Sequence, residues 1–288
     1  MTNVRMHPGA AFERRRFGKV WVTAISDGFI DASLRIFANL PPEEAQGLLA
    51  AAKVPLMPRI SVNAYLLESA GRLALIDTGA GHVMGPTLGR LPQSLAAAGV
   101  ERSDIPTVLL THMHPDHSNG LTDADGRLCF PKAELLVHEA EVGHWCDDAR
   151  MAEASPRARR DDFEAARRQL KACEGRVRTF TEGEIFTGVR GIPIPGHTPG
   201  HTGYLVGEGA GALFIWGDTV HVPEIQVPRP EVVVRFDTDP HMACETRRRV
   251  FDMAAANSWI VAGMHLHFPG YAHVVRLCEG YALRYPAR

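Results

Sequence analysis

The sequence predicts an α/β chain, a four-layer αβ/βα sandwich in which two sheets pack face to face with helices outside. Three observations predict it. Short strand-like runs alternate with helical patterns in both halves of the 288 residues. Some of those runs, such as Thr107-Val108-Leu109-Leu110, are almost wholly apolar, as strands in the middle of a sheet are. No Pro/Gly/Ser-rich linker or compositional break divides the chain, so residues 1–288 are expected to form one domain. A strand and helical extension over about 1–58 is expected to pack on it or extend it.

The elements follow in order. Residues 20–25 read as a strand, ended by the turn signal Ser26-Asp27-Gly28. Pro41-Pro42-Glu43-Glu44 opens a helix to about residue 53, with acidic residues in its first turn. Residues 62–67 and 73–76 are two strands joined across Gly71-Arg72 as a hairpin, and the second runs into Asp77-Thr78-Gly79. A helix covers 88–98, and buried strands follow at 107–110 and 135–137. Residues 157–173 are polar and helical in pattern. Strands are expected at 177–180, 191–194, 202–206 and 212–216. Asp239-Pro240, an N-cap residue with Pro at N1, starts a helix to about residue 256, before a last core strand at 259–262.

Composition narrows the function. With 45% hydrophobic and 22% charged residues, the chain has the composition of an ordinary globular protein and disorder is excluded for most of it. The 31 basic residues nearly balance the 33 acidic ones, and this near-neutrality argues against a nucleic-acid partner. No apolar run approaches the roughly 18–20 residues that span a bilayer, so no membrane partner is expected. Met1-Thr2-Asn3-Val4-Arg5 leads to no apolar core with a cleavage site, which makes the cytoplasm the expected compartment. The five cysteines form no C-x-x-C pair, so inert thiols are expected rather than a thiolate zinc site.

The 14 histidines carry the chemistry. Thr111-His112-Met113-His114-Pro115-Asp116-His117 follows the buried strand at 107–110 and has the form H-x-H-x-D-H. Three imidazoles and a carboxylate within six residues suit zinc and other first-row divalent metals. Four ligands on one loop are more than one ion conveniently takes, but they can divide between two neighbouring ions. No G-x-S-x-G elbow, P-loop or G-x-G-x-x-G after a strand offers a competing chemistry.

This motif resembles the signature of the metallo-β-lactamase superfamily. Asp77-Thr78-Gly79, Gly196-His197-Thr198-Pro199-Gly200-His201 and Gly217-Asp218 are similar to its further turns. The resemblance implies that fold and a binuclear centre. His112, His114 and His197 would hold one ion, and Asp116, His117 and His265 the other. Asp218 would bridge the two, with a water or hydroxide between them. Zinc is the first expectation, with Mn2+, Co2+ or Fe2+ as alternatives. His201 and Asp77 would be outer, orienting groups. His267 competes with His265 for the ligand role.

Within the superfamily the chain is similar to the methyl parathion hydrolase-like and lactonase group. The stretches that carry this are 61–66, 76–81, 85–89, 111–117 and 265–270. The resemblance implies a homodimeric hydrolase of small esters, lactones or aryl esters, with Asp116, Asp218 and His221 as catalytic residues. Phosphotriester hydrolysis is the alternative, and a mononuclear-iron dioxygenase a more remote one. His221 departs from the pattern of lactonases that carry a tyrosine three residues after the bridging aspartate. His221, Trp145 and Phe268 are the expected substrate contacts.

Overall fold

The structure, a computed structural model, describes residues 12–285. The N-terminal stretch read for a leader, with His7, lies outside those residues. In the first sheet β1 (Phe12–Phe17), β2 (Val20–Asp31), β3 (Arg59–Ser69) and β4 (Arg72–Ile76) are successively antiparallel. β5 (Thr107–Leu109), β6 (Glu134–His138) and β7 (Val177–Phe180) continue parallel from β4. The second sheet holds β8 (Gly183–Phe186), β9 (Val189–Pro193), β10 (Thr202–Val206), β11 (Leu213–Ile215), β12 (Ile260–Ala262), β13 (Tyr271–Arg276) and β14 (Tyr281–Arg284). Its neighbours are antiparallel except β11 and β12.

Alternation of side chains along each strand builds the layers. Tyr65 and Leu67 of β3, and Leu213 and Ile215 of β11, turn inward and form the core between the sheets. Leu66 and Phe214, one residue out of phase, face outward. Helices α1 (Pro42–Ala51), α2 (Leu91–Ala97), α3 (Pro115–Ser118), α4 (Glu139–Trp145), α5 (Asp148–Glu153), α6 (Pro156–Ala158) and α7 (Glu164–Ala172) come before β7 in the chain. Leu91, Leu95, Trp145 and Ala166 from α2, α4 and α7 cover the outer face of the first sheet. After α8 (Pro223–Gln226), the long α9 (Pro240–Ala256) covers the second sheet with Val250, Phe251 and Ala254. The order of layers is therefore helix, sheet, sheet, helix, as expected. Among the described residues no helix is long and apolar enough to cross a membrane.

Several local expectations differ from the structure. The turn read at Ser26-Asp27-Gly28 is a bulge inside β2, where the register to β3 shifts between Ser26 and Gly28. Gly28 sits at φ 123, and a Cβ there would meet the Thr87 carbonyl oxygen at 1.9 Å. β1 was not expected, because its charged sequence Glu13-Arg14-Arg15-Arg16 reads as loop, yet it pairs along its whole length with β2. The polar helix expected over 157–173 is broken by a π-helical turn at Arg159–Phe163, between α6 and α7.

Two polar side chains tie the sheets together where the site forms. Tyr204 of β10 donates its hydroxyl to the Leu110 carbonyl just past β5 (2.6 Å). Asn63 of β3 donates to the carbonyls of Gly263 (3.1 Å) and Leu266 (2.8 Å), which fixes the loop after β12. Asn63→Ala should cost about 1–3 kcal/mol of unfolding free energy, because the buried Leu266 carbonyl loses its donor and the Gly263 carbonyl keeps only the Tyr65 hydroxyl. Urea melts of the two proteins measure this; equal midpoints would show the contact carries no stability.

Candidate metal centre

The centre forms at one edge of the sandwich, from loops that leave strands of both sheets. His112 and His114 follow β5, and His114 is the N-cap of α3. Pro115 at N1 sets the first turn of α3, which carries Asp116 and His117. His197 lies in the turn between β9 and β10, Asp218 follows β11 and His265 follows β12. Gly217 (φ 53) makes the approach of Asp218 feasible, since a Cβ there would meet His201 Nε2 at 2.3 Å.

Three ring nitrogens converge in a first group. His114 Nδ1 is 3.1 Å from His112 Nε2 and 2.9 Å from His197 Nε2. In a second group His117 Nε2 is 3.2 Å from Asp218 Oδ1 and 3.6 Å from Asp116 Oδ2. His265 Nε2 is 3.4 Å from Asp116 Oδ2 and 2.9 Å from Asp218 Oδ2. Asp218 Oδ2 also faces the first group, 3.4 Å from His197 Nε2 and 3.8 Å from His112 Nε2. Ligands bonded to a tetrahedral zinc at 2.0–2.1 Å stand about 3.3 Å apart. The observed spacings bracket that edge.

The tautomers decide whether a cation fits. His117 donates Nδ1–H to Asp77 Oδ2 (2.7 Å), His197 donates Nδ1–H to Asp237 Oδ1 (2.7 Å) and His265 donates Nδ1–H to the Ser61 carbonyl (2.8 Å). Thr111 gives its hydroxyl proton to Asp77 Oδ2 (2.7 Å), so its oxygen accepts from His112 Nδ1–H (3.0 Å). In their neutral forms, the ones that bind a metal, these four rings therefore present Nε2 lone pairs to the centre. Lone pairs 3 Å from one another repel unless a cation lies between them. His117 Nε2 and Asp218 Oδ1 are moreover buried without a hydrogen-bond partner among the described residues. The donor set, imidazole nitrogen with carboxylate oxygen, suits divalent first-row metals.

Electrostatics cut across this division: burial opposes charge at His197, yet Asp218 and Asp237 raise it to about 9. Burial, with neighbouring imidazoles, holds His112 and His114 well below the usual histidine range. Burial opposes charge at His117 too, but Asp218, Asp116 and Asp77 lift it well above that range. The surrounding imidazoles likewise overcome burial at Asp218 and hold its carboxyl well below the usual carboxylate range.

The centre opens on a cavity of about 650 Å³. His114, Asp116, Asp218, His221 and His265 line its inner end, and Ile30, Ile36, Ile60, Val83, Met84 and Phe236 give it an apolar wall. His221 Nε2 is 3.1 Å from Asp218 Oδ2, and its ring stacks on His265 with centroids 5.1 Å apart. Two expected substrate contacts lie elsewhere. Trp145 is 2% exposed behind His114, its ring packed on Phe163 (4.9 Å) and its Nε1–H given to Glu141 Oε2 (2.7 Å). Phe268 packs, half-buried, on the core between the sheets. Neither lines the cavity.

The orienting residues stand where expected in two cases. Asp77 accepts from Thr111 and His117, and His201 bridges the Ile194 carbonyl (3.1 Å) and the Asp218 N–H (3.0 Å). His267 turns away from the centre and bonds Glu224 (2.6 Å). Sequence reasoning missed Asp237, which holds His197, and Glu141, whose buried carboxylate accepts from Met113 N–H (3.0 Å) and Gly200 N–H (2.9 Å). It thereby joins the H-x-H loop to the turn that carries His197.

The profile of the metallo-beta-lactamase superfamily matches residues 57–265, most of the chain. The chain belongs to the metallo-beta-lactamase superfamily. It is 28% identical over 192 residues to a probable metallo-hydrolase of Mycobacterium tuberculosis, an alignment over 54% of this chain and 56% of that protein. The chain thus spans about half the length of the curated relatives it matches. Among solved structures, the hydrolase AbOPH of the beta lactamase superfamily superposes with a TM-score of 0.90 at 30% identity, over 97% of this chain and 99% of that one. The dizinc quorum-quenching lactonase AidC superposes with a TM-score of 0.90 at 25% identity, over 96% of this chain and 98% of its own.

Two predictions follow from these contacts. Asp237→Asn should weaken metal binding by about 10–100-fold, because His197 loses its orienting acceptor. Competition with a chromogenic chelator measures this, and an unchanged affinity would remove Asp237 from the centre. Asp162, 6% exposed in the cavity wall, is raised by burial to about 6. A carboxyl raised in the folded state costs stability as pH climbs from its unfolded value through its folded one. Asp162→Asn should therefore stabilise the protein near pH 8, by up to roughly 3 kcal/mol, and hardly at all near pH 4. Urea midpoints at the two pH values test the sign.

Proposed function

We propose that the chain is a metal-dependent hydrolase of small ester-like substrates, lactones and aryl esters first, that works with two divalent cations, zinc before manganese, cobalt or iron. The observation that carries the reading is the convergence of seven side chains, five imidazoles, four of them with the outward nitrogen hydrogen-bonded, and two carboxylates, at the inner end of a partly apolar cavity. His112, His114 and His197 would hold one cation and Asp116, His117 and His265 the other, with Asp218 between them. Cations so held supply Lewis acidity toward a carbonyl or phosphoryl oxygen and a lowered pKa for water.

The chain's own groups do the rest. The Asp116 and Asp218 carboxylates both reach the cavity and stay ionised at neutral pH, so they would hold the cations and orient the attacking water by accepting its hydrogen bond. His221 stands beside Asp218 at the cavity's inner end, placed to direct a ring N–H toward a substrate oxygen. The apolar part of the wall suits the hydrocarbon groups of a substrate, while Arg157, Arg160, Asp161, Asp162, Glu164 and Arg168 make another part of it charged. AidC, at 25% identity over nearly the whole chain, is a lactonase, which supports a lactone first. A phosphotriester fits the same ligand chemistry and is the second reading.

A hydrolysis panel of a γ-lactone, an aryl acetate and a phosphotriester on metal-replete protein, with elemental analysis of the same preparation, tests the proposal. Two equivalents of metal and turnover of the lactone or aryl ester are expected. Asp218→Ala and His114→Ala should each lower kcat/KM at least a thousandfold while the fold, read by circular dichroism, persists. Full activity with less than one equivalent of metal would overturn the two-cation reading, and turnover of the phosphotriester alone would reverse the order of the two substrate readings.

A further inference from the structure

A second cavity, of about 490 Å³, lies beside the first and shares Asp31, Ile60 and His221 with it. Its volume falls in the range of small-molecule sites, roughly 300–1,000 Å³. Its walls come from separate parts of the chain: the end of β2, α1 with the loop after it, the start of β3, and the segment of α8. Leu49, Val54, Met57, Ile60, Val222 and Pro223 make it apolar. Two polar pairs complete it. Asp31 and Arg59 meet at 2.8 Å at the exposed rim, and Glu224 and His267 at 2.6 Å further in, with side chains only 16% and 19% exposed. Each carboxylate already has its donor, so the wall presents no lone charge to a ligand. Met57, at the mouth, is 63% exposed and Leu56 beside it is 51% exposed.

The position of this cavity relative to the centre carries the argument. His221 lines both cavities and stands 3.1 Å from Asp218, while Ile60 is the apolar member of the shared wall. A substrate whose ester group lies at Asp218 has hydrocarbon on both sides of that group, and the structure offers an apolar cavity on each side of the Ile60–His221 ridge. His267, set two residues after the candidate ligand His265, belongs to the second cavity and not to the centre.

We propose that the second cavity binds the non-reacting arm of the substrate, an uncharged alkyl or aryl chain that crosses the ridge of Asp31, Ile60 and His221. This deepens, and rests on, the reading of the centre as an ester-hydrolysing site. The arm gains by leaving water for an apolar wall, in proportion to its length. Chain-length selectivity therefore resides in the loop after α1 and in α8.

The test uses γ-butyrolactones with γ-alkyl arms from methyl to octyl, and 3-octylcyclopentanone, the ketone with the same arm and CH2 in place of the ring oxygen, hence no scissile bond. Val54→Trp fills the cavity, and Met57→Trp narrows its mouth from an exposed position where folding is not at risk. For the parent, kcat/KM should rise along the lactone series. In both variants the ratio of octyl to methyl kcat/KM should fall at least tenfold, and calorimetry should show at least tenfold weaker binding of the ketone. Unchanged ratios with unchanged ketone affinity would overturn the proposal. If no lactone is turned over, the ketone alone decides: binding to the parent and loss in both variants upholds the arm site while the ester-hydrolase reading falls, and equal binding to all three proteins removes the arm site.

Discussion

The Asp77 carboxylate is the constraint on which the centre depends. It sits at the end of β4, takes Thr111 N–H on one oxygen and both the Thr111 hydroxyl and His117 Nδ1–H on the other. Through Thr111 it fixes the tautomer of His112, and directly it fixes that of His117. One carboxylate thus orients one ring in each ligand group. Its backbone is held at φ 60, a left-handed conformation that costs energy for any residue but glycine. Three hydrogen bonds inside a buried site offset that cost, since each would be dear to leave unmade.

The centre is also a product of sheet packing. The parallel pairing of β4 with β5 brings Asp77 beside the H-x-H loop, and the parallel pairing of β11 with β12 brings Asp218 beside His265. The two halves meet only because the core between the sheets closes. Polar contacts across the join tie the strand residues Tyr204 and Asn63, and Glu141 of α4, to the loops that carry the ligands. The charge pattern is a consequence. With Asp218 among five imidazoles, its negative charge is well compensated, and its carboxyl resists protonation despite complete burial of its surroundings.

Much of this was legible in the sequence because the signals were local. The layers follow from period-two and period-3.6 apolar runs, and H-x-H-x-D-H packs two ligands of each group into six residues. What was not legible depends on contacts far apart in the chain. Asp237 lies 40 residues from His197 and Glu141 lies 28 from Met113, each a lone acid with no local pattern around it. Gly28 reads as a turn because nothing nearby reveals that Thr87 presses on its backbone. Trp145 was expected at the substrate because its placement after a core strand resembles that of a pocket-lining aromatic in the methyl parathion hydrolase group. Its indole N–H has a buried acceptor in Glu141, which draws the ring into the packing behind His114.

His265-Leu266-His267 shows what separates a ligating imidazole from its neighbour. Spacing cannot choose between the two rings, since both flank a buried Leu266 that packs outward. The partners choose. Ser61 lends His265 a carbonyl acceptor for Nδ1–H, which leaves Nε2 free toward Asp218. Glu224 takes His267 Nε2 instead and draws that ring toward the second cavity. His221 meets neither condition: its backbone N–H is held by Gln226, but neither ring nitrogen has a hydrogen-bond partner among the described residues. The ring stacks on His265 and brings Nε2 to 3.1 Å from Asp218 Oδ2, close enough to join His197 and Asp218 in a third cluster of metal-type donors. With no acceptor on Nδ1 to fix its tautomer, it lacks the outer hydrogen bond that sets His117, His197 and His265 as ligands, and that difference is the ground for proposing it as a substrate contact.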